Sequence, residues 1–217
     1  MAEKYRVNEI FYSPQGEGRR AGTMNVFVRF SGCNLECSAD GEAGFDCDTE
    51  FTSGVWLTLG ALLETMNEER EKAGAKRGHK ACILTGGEPC LQADRELIAA
   101  LHRDEWFVAI ETNGTVEPAW KGGGIDQEEI PDWVSCSPKT AEHTLRLGLF
   151  VDEVRYVRNP LQGIPKPGLQ ADHYFLSPAA SAEGVIDRDS LRHCLKLCAE
   201  NPRWALSVQQ HKLWGVR

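Results

Sequence analysis

Cys33 to Thr49 reads CNLECSADGEAGFDCDT and carries three of the chain's 8 cysteines in a stretch that is otherwise small, polar and acidic. It begins directly behind NVFVRFSG (Asn25 to Gly32), an apolar run rich in β-formers, and so occupies a loop where a strand has just ended. Runs of the same kind recur at ACILTGG, WFVAIETNG, WVSCS, VDEVRYV, YFLSP and WALSVQ, mostly separated by polar or helix-patterned segments. That alternation predicts a mainly parallel α/β sheet. Several of the strands end in polar or glycine-containing stretches, namely SGCN, TGGEPC, ETNGT, SPKT and SPAA. Parallel α/β folds build their sites at the carboxyl ends of the strands, so these endings predict one shared rim, with the cysteine loop on it.

The clearest helix begins near Thr58, a capping residue, and carries Leu59, Leu62, Leu63 and Met66 on one apolar face. A second has Leu97, Ile98 and Leu101. A third, Asp189 to Glu200, places Leu191, Cys194, Leu195 and Cys198 on one face, which makes its two cysteines core residues. Cys82, Cys90 and Cys136 lie in or beside strands and read as packing residues.

At 217 residues, with 41% hydrophobic and 26% charged residues, the chain reads as one globular domain spanning 1–217. No stretch approaches the about 18 consecutive apolar residues of a membrane helix, and the opening MAEKYRVNEIFY lacks a signal-peptide core, so the cytoplasm is the expected location and no membrane is expected as a partner. The net charge of -8 is interspersed, without the basic stripe that nucleic acid would require, which points to a small-molecule substrate. In a reducing compartment three clustered cysteines are metal ligands or redox groups sooner than disulfides. A closed zinc site needs a fourth ligand, and none is local. Three thiolates suit an iron-sulfur cube, because three protein ligands leave one iron open to a substrate or cofactor.

GCNLECSADGEAGFDCDTEF resembles the cluster loop of radical S-adenosylmethionine enzymes, whose usual spacing is C-x3-C-x2-C, and TGGEP resembles their GGE motif. With YSPQGEG, C-D-T, ETNG, SPK and LSVQQHK in this order, almost the whole chain resembles the 7-carboxy-7-deazaguanine synthases. It departs from their pattern at position 40, an aspartate, where the third cysteine is expected. Two registers are open: Asp40 as an oxygen ligand, or an insertion that loops outward and returns Cys47 to the cube. Cys47 is preferred because Asp48 and Thr49 complete C-D-T and because iron-sulfur clusters favour thiolate. Lengthening the loop costs about 1 kcal/mol of closure entropy, while metal sites contribute on the order of ten times that.

The resemblance implies a shortened, partial, open (β/α) barrel and a homodimer. It implies a 4Fe-4S cluster on Cys33, Cys37 and Cys47, S-adenosylmethionine on its open iron, Mg2+ on Thr49, and an electron donor such as flavodoxin or ferredoxin. S-adenosylmethionine is expected to meet Asp46, Asp48, Gly87, Ser137, Pro138, Lys139, Ser177, Pro178, Ala179 and Ala180. The implied substrate is 6-carboxy-5,6,7,8-tetrahydropterin, bound by Pro14, Gln15, Gly16, Glu17, Arg29, Thr85, His211 and the terminal carboxylate of Arg217. Hydrogen abstraction at its C6, ring contraction and loss of ammonia would give 7-carboxy-7-deazaguanine on the route to queuosine or related deazapurines. Two other readings share part of this signature: a glycyl-radical-enzyme activase, which has no reason to carry QGEG or QQHK, and a zinc-stabilised interaction domain.

Overall fold

The computed structural model describes residues 4–41, 43–47, 49–75, 78–140, 145–148, 150–180 and 185–216. In chain order its elements are β1 (Lys4–Pro14), β2 (Met24–Phe30), β3 (Val55–Thr58), α1 (Leu59–Lys72), β4 (Lys80–Gly86), α2 (Arg95–Arg103), β5 (Trp106–Thr112), β6 (Trp133–Cys136), β7 (Phe150–Arg158), β8 (Gln170–Pro178), α3 (Arg188–Glu200), β9 (Ala205–Leu206) and α4 (Gln210–Trp214). The strands form one open sheet in the order β3-β1-β2-β4-β5-β6-β7-β8-β9. Every pairing from β2 to β9 is parallel, and β1 runs antiparallel to both β2 and β3. This is the expected partial β/α barrel. It is short of helices: among the described residues the connections from β5 to β8 contain a single 3-10 turn, Gln127–Glu129, and no α-helix.

The two-residue period of the strands divides the side chains between two surfaces. On the outer, convex one, Val26, Val28, Phe30, Cys82, Leu84, Val108 and Ile110 are fully buried against Leu62 and Met66 of α1 and Leu97 and Leu101 of α2. A second outer core joins Val154, Tyr156, Tyr174 and Leu176 to Cys194 and Leu197 of α3 and to Trp204. Each helix starts at a side-chain cap: Thr58 accepts from the Ala61 amide at 3.3 Å, Asp94 from that of Leu97 at 2.8 Å and Asp187 from that of Ser190 at 2.7 Å. In α3 the expected face is rotated, because Leu195 is 50% exposed while Leu197 is buried in its place.

The inner surface has two layers. Phe27, Ile83, Ala109 and Trp133 stand side by side across β2, β4, β5 and β6, with Phe11 stacked on Phe27 at 5.1 Å, and make an apolar floor. Two residues further along each strand come Arg29, Thr85, Glu111 and Ser135, and the surface turns polar. The alternation therefore places Arg29 inside the barrel, not on an outer edge.

Two strands and one helix go beyond what the sequence announced. β1 conceals its period, because a bulge between Val7 and Glu9 exchanges its faces: Tyr5 and Val7 join the outer core, whereas Phe11 joins the inner floor. β3 is a four-residue edge strand. The tail from Gln210 forms α4, with Leu213 69% and Val216 44% exposed, so its apolar residues are less deeply docked than their character predicts. Leu84→Ala, which empties a fully buried position between two helices, should lower stability by about 2–5 kcal/mol in urea denaturation.

Candidate active site

The rim begins where β2 ends. Gly32 accepts from the Glu88 amide at 2.9 Å, and Gly87 donates to the Phe30 carbonyl at 3.1 Å, so GGE docks directly beside the root of the cysteine loop. A Cβ on Gly87 would overlap the Gly32 carbonyl oxygen, which explains the need for glycine there. The Glu88 carboxylate is completely buried and accepts from the Cys90 amide at 3.0 Å, the Thr112 hydroxyl at 2.6 Å and the Asn113 amide at 2.7 Å. Glu88 thereby locks the ends of β4 and β5 together. Asn113 then places its side-chain amide 3.2 Å from Asn34 and 4.0 Å from the Cys33 sulfur.

Cys33, Cys37 and Cys47 all face one cavity of about 1300 Å³. The Cys47 amide donates to the Cys37 carbonyl at 3.4 Å, so the inserted residues leave and return at one point and Cys47 reaches the rim. Asp40 is exposed and does not line the cavity. The insertion does not bulge outward as expected. Ala43 is buried, Asn159 donates to the Gly44 carbonyl at 3.1 Å, and the Lys139 ammonium lies 4.9 Å from the Phe45 ring centre, so the insertion folds down over the ends of β6 and β7. Three contacts are better than none for the lengthened loop, which otherwise has only entropy to lose.

The donor set fits an iron-sulfur cluster and its cofactor. Burial raises the Cys37 thiol, Lys139 opposes it, and Cys47 and Cys33 add to the rise; at Cys33 burial again dominates, partly offset by the Leu35 amide. Thiols that repel one another as thiolates are relieved by a shared cationic cluster. Among the described residues no three His, Cys, Asp or Glu side chains converge on a single ion. Thiolates on different corners of a cube have no need to converge in that way. Ser177 is 4% exposed and its hydroxyl, without a hydrogen-bond partner among the described residues, lines the same cavity, as a ligand contact would.

Nearly all the residues expected at the site line that cavity: Asp46, Thr49, Gly87, Ser137, Lys139, Ser177, Pro178, Ala179 and Ala180, together with Pro14, Gln15, Gly16, Glu17, Arg29, Thr85 and His211. Pro138 departs from expectation, facing a neighbouring cavity of about 400 Å³ beside Phe45 and Tyr156. Asp48 and Arg217 lie outside the described residues. Asp46 also accepts from the Ala39 amide at 2.9 Å, which braces the insertion. Thr49 is followed by a pinned segment, in which Gly32 donates to the Phe51 carbonyl at 2.7 Å and Glu50 accepts from the Ser53 amide at 2.9 Å.

The segment after β1 reaches across the open seam to the far end of the sheet. Gly18 donates to the Ser207 hydroxyl at 2.9 Å and Gln210 to the Gly16 carbonyl at 2.9 Å, while a Cβ on Gly16 would strike the His211 ring. Gln15 and Glu17 are thus delivered to the polar layer, where Gln15 donates to Glu111 at 2.8 Å and Glu17 meets Arg155 at 3.1 Å. Arg155 is the residue the sequence reading passed over. Its signal was a Glu-x-Arg pair at alternate positions, Glu153 and Arg155, inside VDEVRYV. Burial alone would raise the Glu111 carboxyl, but Arg155, aided by Gln15 and Thr85, holds it below its ordinary range. At the other end of the layer Arg29 lies 3.3 Å from Glu9 and over the Phe11 ring at 5.4 Å.

A three-cysteine loop at the carboxyl rim of an open, partial β/α barrel defines the class of radical S-adenosylmethionine enzymes. No family model matches the chain. It is 38% identical over 214 residues to the 7-carboxy-7-deazaguanine synthase of Bacteroides thetaiotaomicron, covering 98% of each chain. It is 35% identical over 224 residues to that of Bradyrhizobium diazoefficiens, with 98% and 99% covered, and 37% identical over 226 residues to that of Nitratidesulfovibrio vulgaris. The fold also matches the crystal structure of QueE from Escherichia coli, with a TM-score of 0.63 at 21% identity over 96% of this chain and 95% of that one. The chain belongs to the 7-carboxy-7-deazaguanine synthase family, whose members are radical enzymes that use a 4Fe-4S cluster and S-adenosylmethionine. No helix among the described residues is long and apolar enough to cross a membrane.

Cluster assembly separates the two ligand registers. Reconstituted without oxygen, Cys47→Ala should lose bound iron and the visible absorption of the cluster, whereas Asp40→Ala should keep both; the opposite result would make Asp40 the ligand.

Proposed function

We propose that the protein converts 6-carboxy-5,6,7,8-tetrahydropterin to 7-carboxy-7-deazaguanine and ammonia. The observation that carries this reading is the polar layer of the cavity, with a guanidinium, Arg29, at one end and the carboxylates Glu17 and Glu111 at the other, beneath the rim of three thiols. The substrate is a flat ring with one carboxylate and an edge of N–H donors, and the two ends of the layer are complementary to those two features.

When bound, the cluster and S-adenosylmethionine supply the radical that removes hydrogen from C6. The chain's own residues hold the ring in place and keep water out. Arg29 receives the substrate carboxylate as a fork and exchanges part of its contact with Glu9 for it. Glu17, Glu111 and Gln15 accept and donate along the ring edge, and Thr85, 3.3 Å from Glu111, continues that row toward Arg29. Ser137, Lys139 and Ser177 face the cofactor side, where Lys139 donates to Ser137 at 2.8 Å. His211 and Lys212 of α4 line the mouth of the cavity. Mg2+ on the Thr49 hydroxyl, an electron donor of the flavodoxin or ferredoxin kind, and a homodimer complete the reading, all three from the family resemblance. The deciding experiment is anaerobic turnover of the pterin with S-adenosylmethionine, magnesium and a strong reductant; absence of the deazaguanine product would overturn the proposal.

Two variants test its parts. Thr49→Ala should keep its iron and lose most of the magnesium stimulation, since the hydroxyl is assigned to the ion and not to the cluster; unchanged magnesium dependence removes that assignment. Arg29→Lys should reduce pterin turnover by roughly tenfold or more while substrate-free cofactor cleavage persists, because a point charge replaces a bidentate fork. Equal loss of both activities would assign Arg29 to the cofactor or the fold.

A further inference from the structure

Arg155 is 5% exposed, and its guanidinium faces three carboxylates: Glu17 at 3.1 Å from Nη1, Glu111 at 2.5 Å from Nη2 and Glu153 at 3.1 Å from Nε. Carboxylates outnumber the cation, which is costly in a buried layer unless each is satisfied in some further way. Glu153 is satisfied by the protein. It is 2% exposed and accepts from the Ser135 hydroxyl at 2.9 Å and from the Arg19 amide at 2.9 Å, and it does not line the cavity. Glu17 and Glu111 do line it. Arg155 therefore stands between one carboxylate behind it and two that face the ligand space.

We infer that Arg155 is the positioning residue for substrate recognition, holding Glu17 and Glu111 as two fixed, ionised acceptors for the N–H edge of the pterin. The inference rests on the proposed function. A guanidinium that engages one oxygen of each carboxylate leaves the remaining lone pairs directed elsewhere, and its rigid plane sets the angle between the two acceptors; an ammonium has no such plane. Protonated, either acid would present a donor to a ring edge that itself donates. The groups that face Glu111 are Arg155 and Glu153 from β7, Gln15 and Glu17 from the segment after β1, Thr85 from β4, Ser135 from β6 and, further away, Arg20 from the β1–β2 connection. Among these described residues Arg155 is the one cation in hydrogen-bond contact with it.

The test is equilibrium binding of 6-carboxytetrahydropterin to the reconstituted enzyme loaded with S-adenosylmethionine, across a range of pH. R155Q and the charge-balanced pair E153Q/R155Q should keep their iron and their affinity for S-adenosylmethionine, while the Kd for the pterin rises by roughly tenfold or more at neutral pH. Part of that loss should be recovered as pH rises. Without the cation, burial pushes the Glu111 carboxyl up toward its protonated form, and alkali restores the anion. R155K keeps a cation beside Glu111, so its loss should come from geometry and stay constant with pH. If R155Q does not fold, the balanced pair and R155K carry the same comparison. Wild-type affinity in all variants, a loss in the Gln variants that pH does not change, or a uniform loss of iron, cofactor and pterin would overturn the inference. A wild-type protein that fails to bind the pterin overturns the proposed function as well, which separates the two failures.

Discussion

The site depends on one buried carboxylate. Glu88 is wholly inaccessible, yet it receives three hydrogen bonds, two of them from Thr112 and Asn113 at the end of β5, while its own amide holds Gly32. A buried acceptor that receives three hydrogen bonds is stable where a bare one would cost several kcal/mol. The consequence is mechanical: three strand ends become one rigid edge, and Cys33, one residue beyond Gly32, is presented from that edge and not from a free loop. The glycine at position 87 belongs to the same device, because only a residue without Cβ allows the two strand ends to approach so closely.

The inner surface follows from the outer one. The helices bury the odd or even set of each strand, and the two-residue period then commits the other set to the barrel interior. Near the amino ends that set is Phe27, Ile83 and Ala109, which close the floor; near the carboxyl ends it is Arg29, Thr85 and Glu111, which line the open cavity. The step from one to the other occupies two residues per strand, so the same strands that supply the core also supply the ligand layer.

How much of this was legible depends on whether the signal was local. The seven parallel strands, the three helices and most of the rim motifs are each written in a short run of residues, and the structure places them where those runs predict. β1 was not legible, since its bulge exchanges the buried parity halfway along, and a period that changes phase does not register as a period. The insertion between Cys37 and Cys47 was read as looping outward; its partners, Lys139, Asn159 and Gln162, lie about 100 residues away and only the tertiary fold brings them together. Pro138 shares a motif with Ser137 and Lys139 but lines only the smaller cavity, whereas Lys139 lines both.

Arg155 was overlooked for a related reason, and its position explains why the chain puts so many charges inside. Beside Asp152 and Glu153 in the same run Arg155 reads as one of several strand charges, yet it is the counter-ion to acids contributed by β5, by β7 and by the segment after β1. Removing the cation would leave those acids to be neutralised by protons, and removing the acids would leave a buried guanidinium. Neither half is stable alone, so the layer folds as a unit and arrives preorganised. A preorganised layer loses little on meeting its ligand, since the cost of orienting the carboxylates has been met in folding. The segment carrying Glu17 also closes the seam of the barrel through Ser207 and Gln210, so the same contacts that complete the fold deliver an acceptor to the cavity.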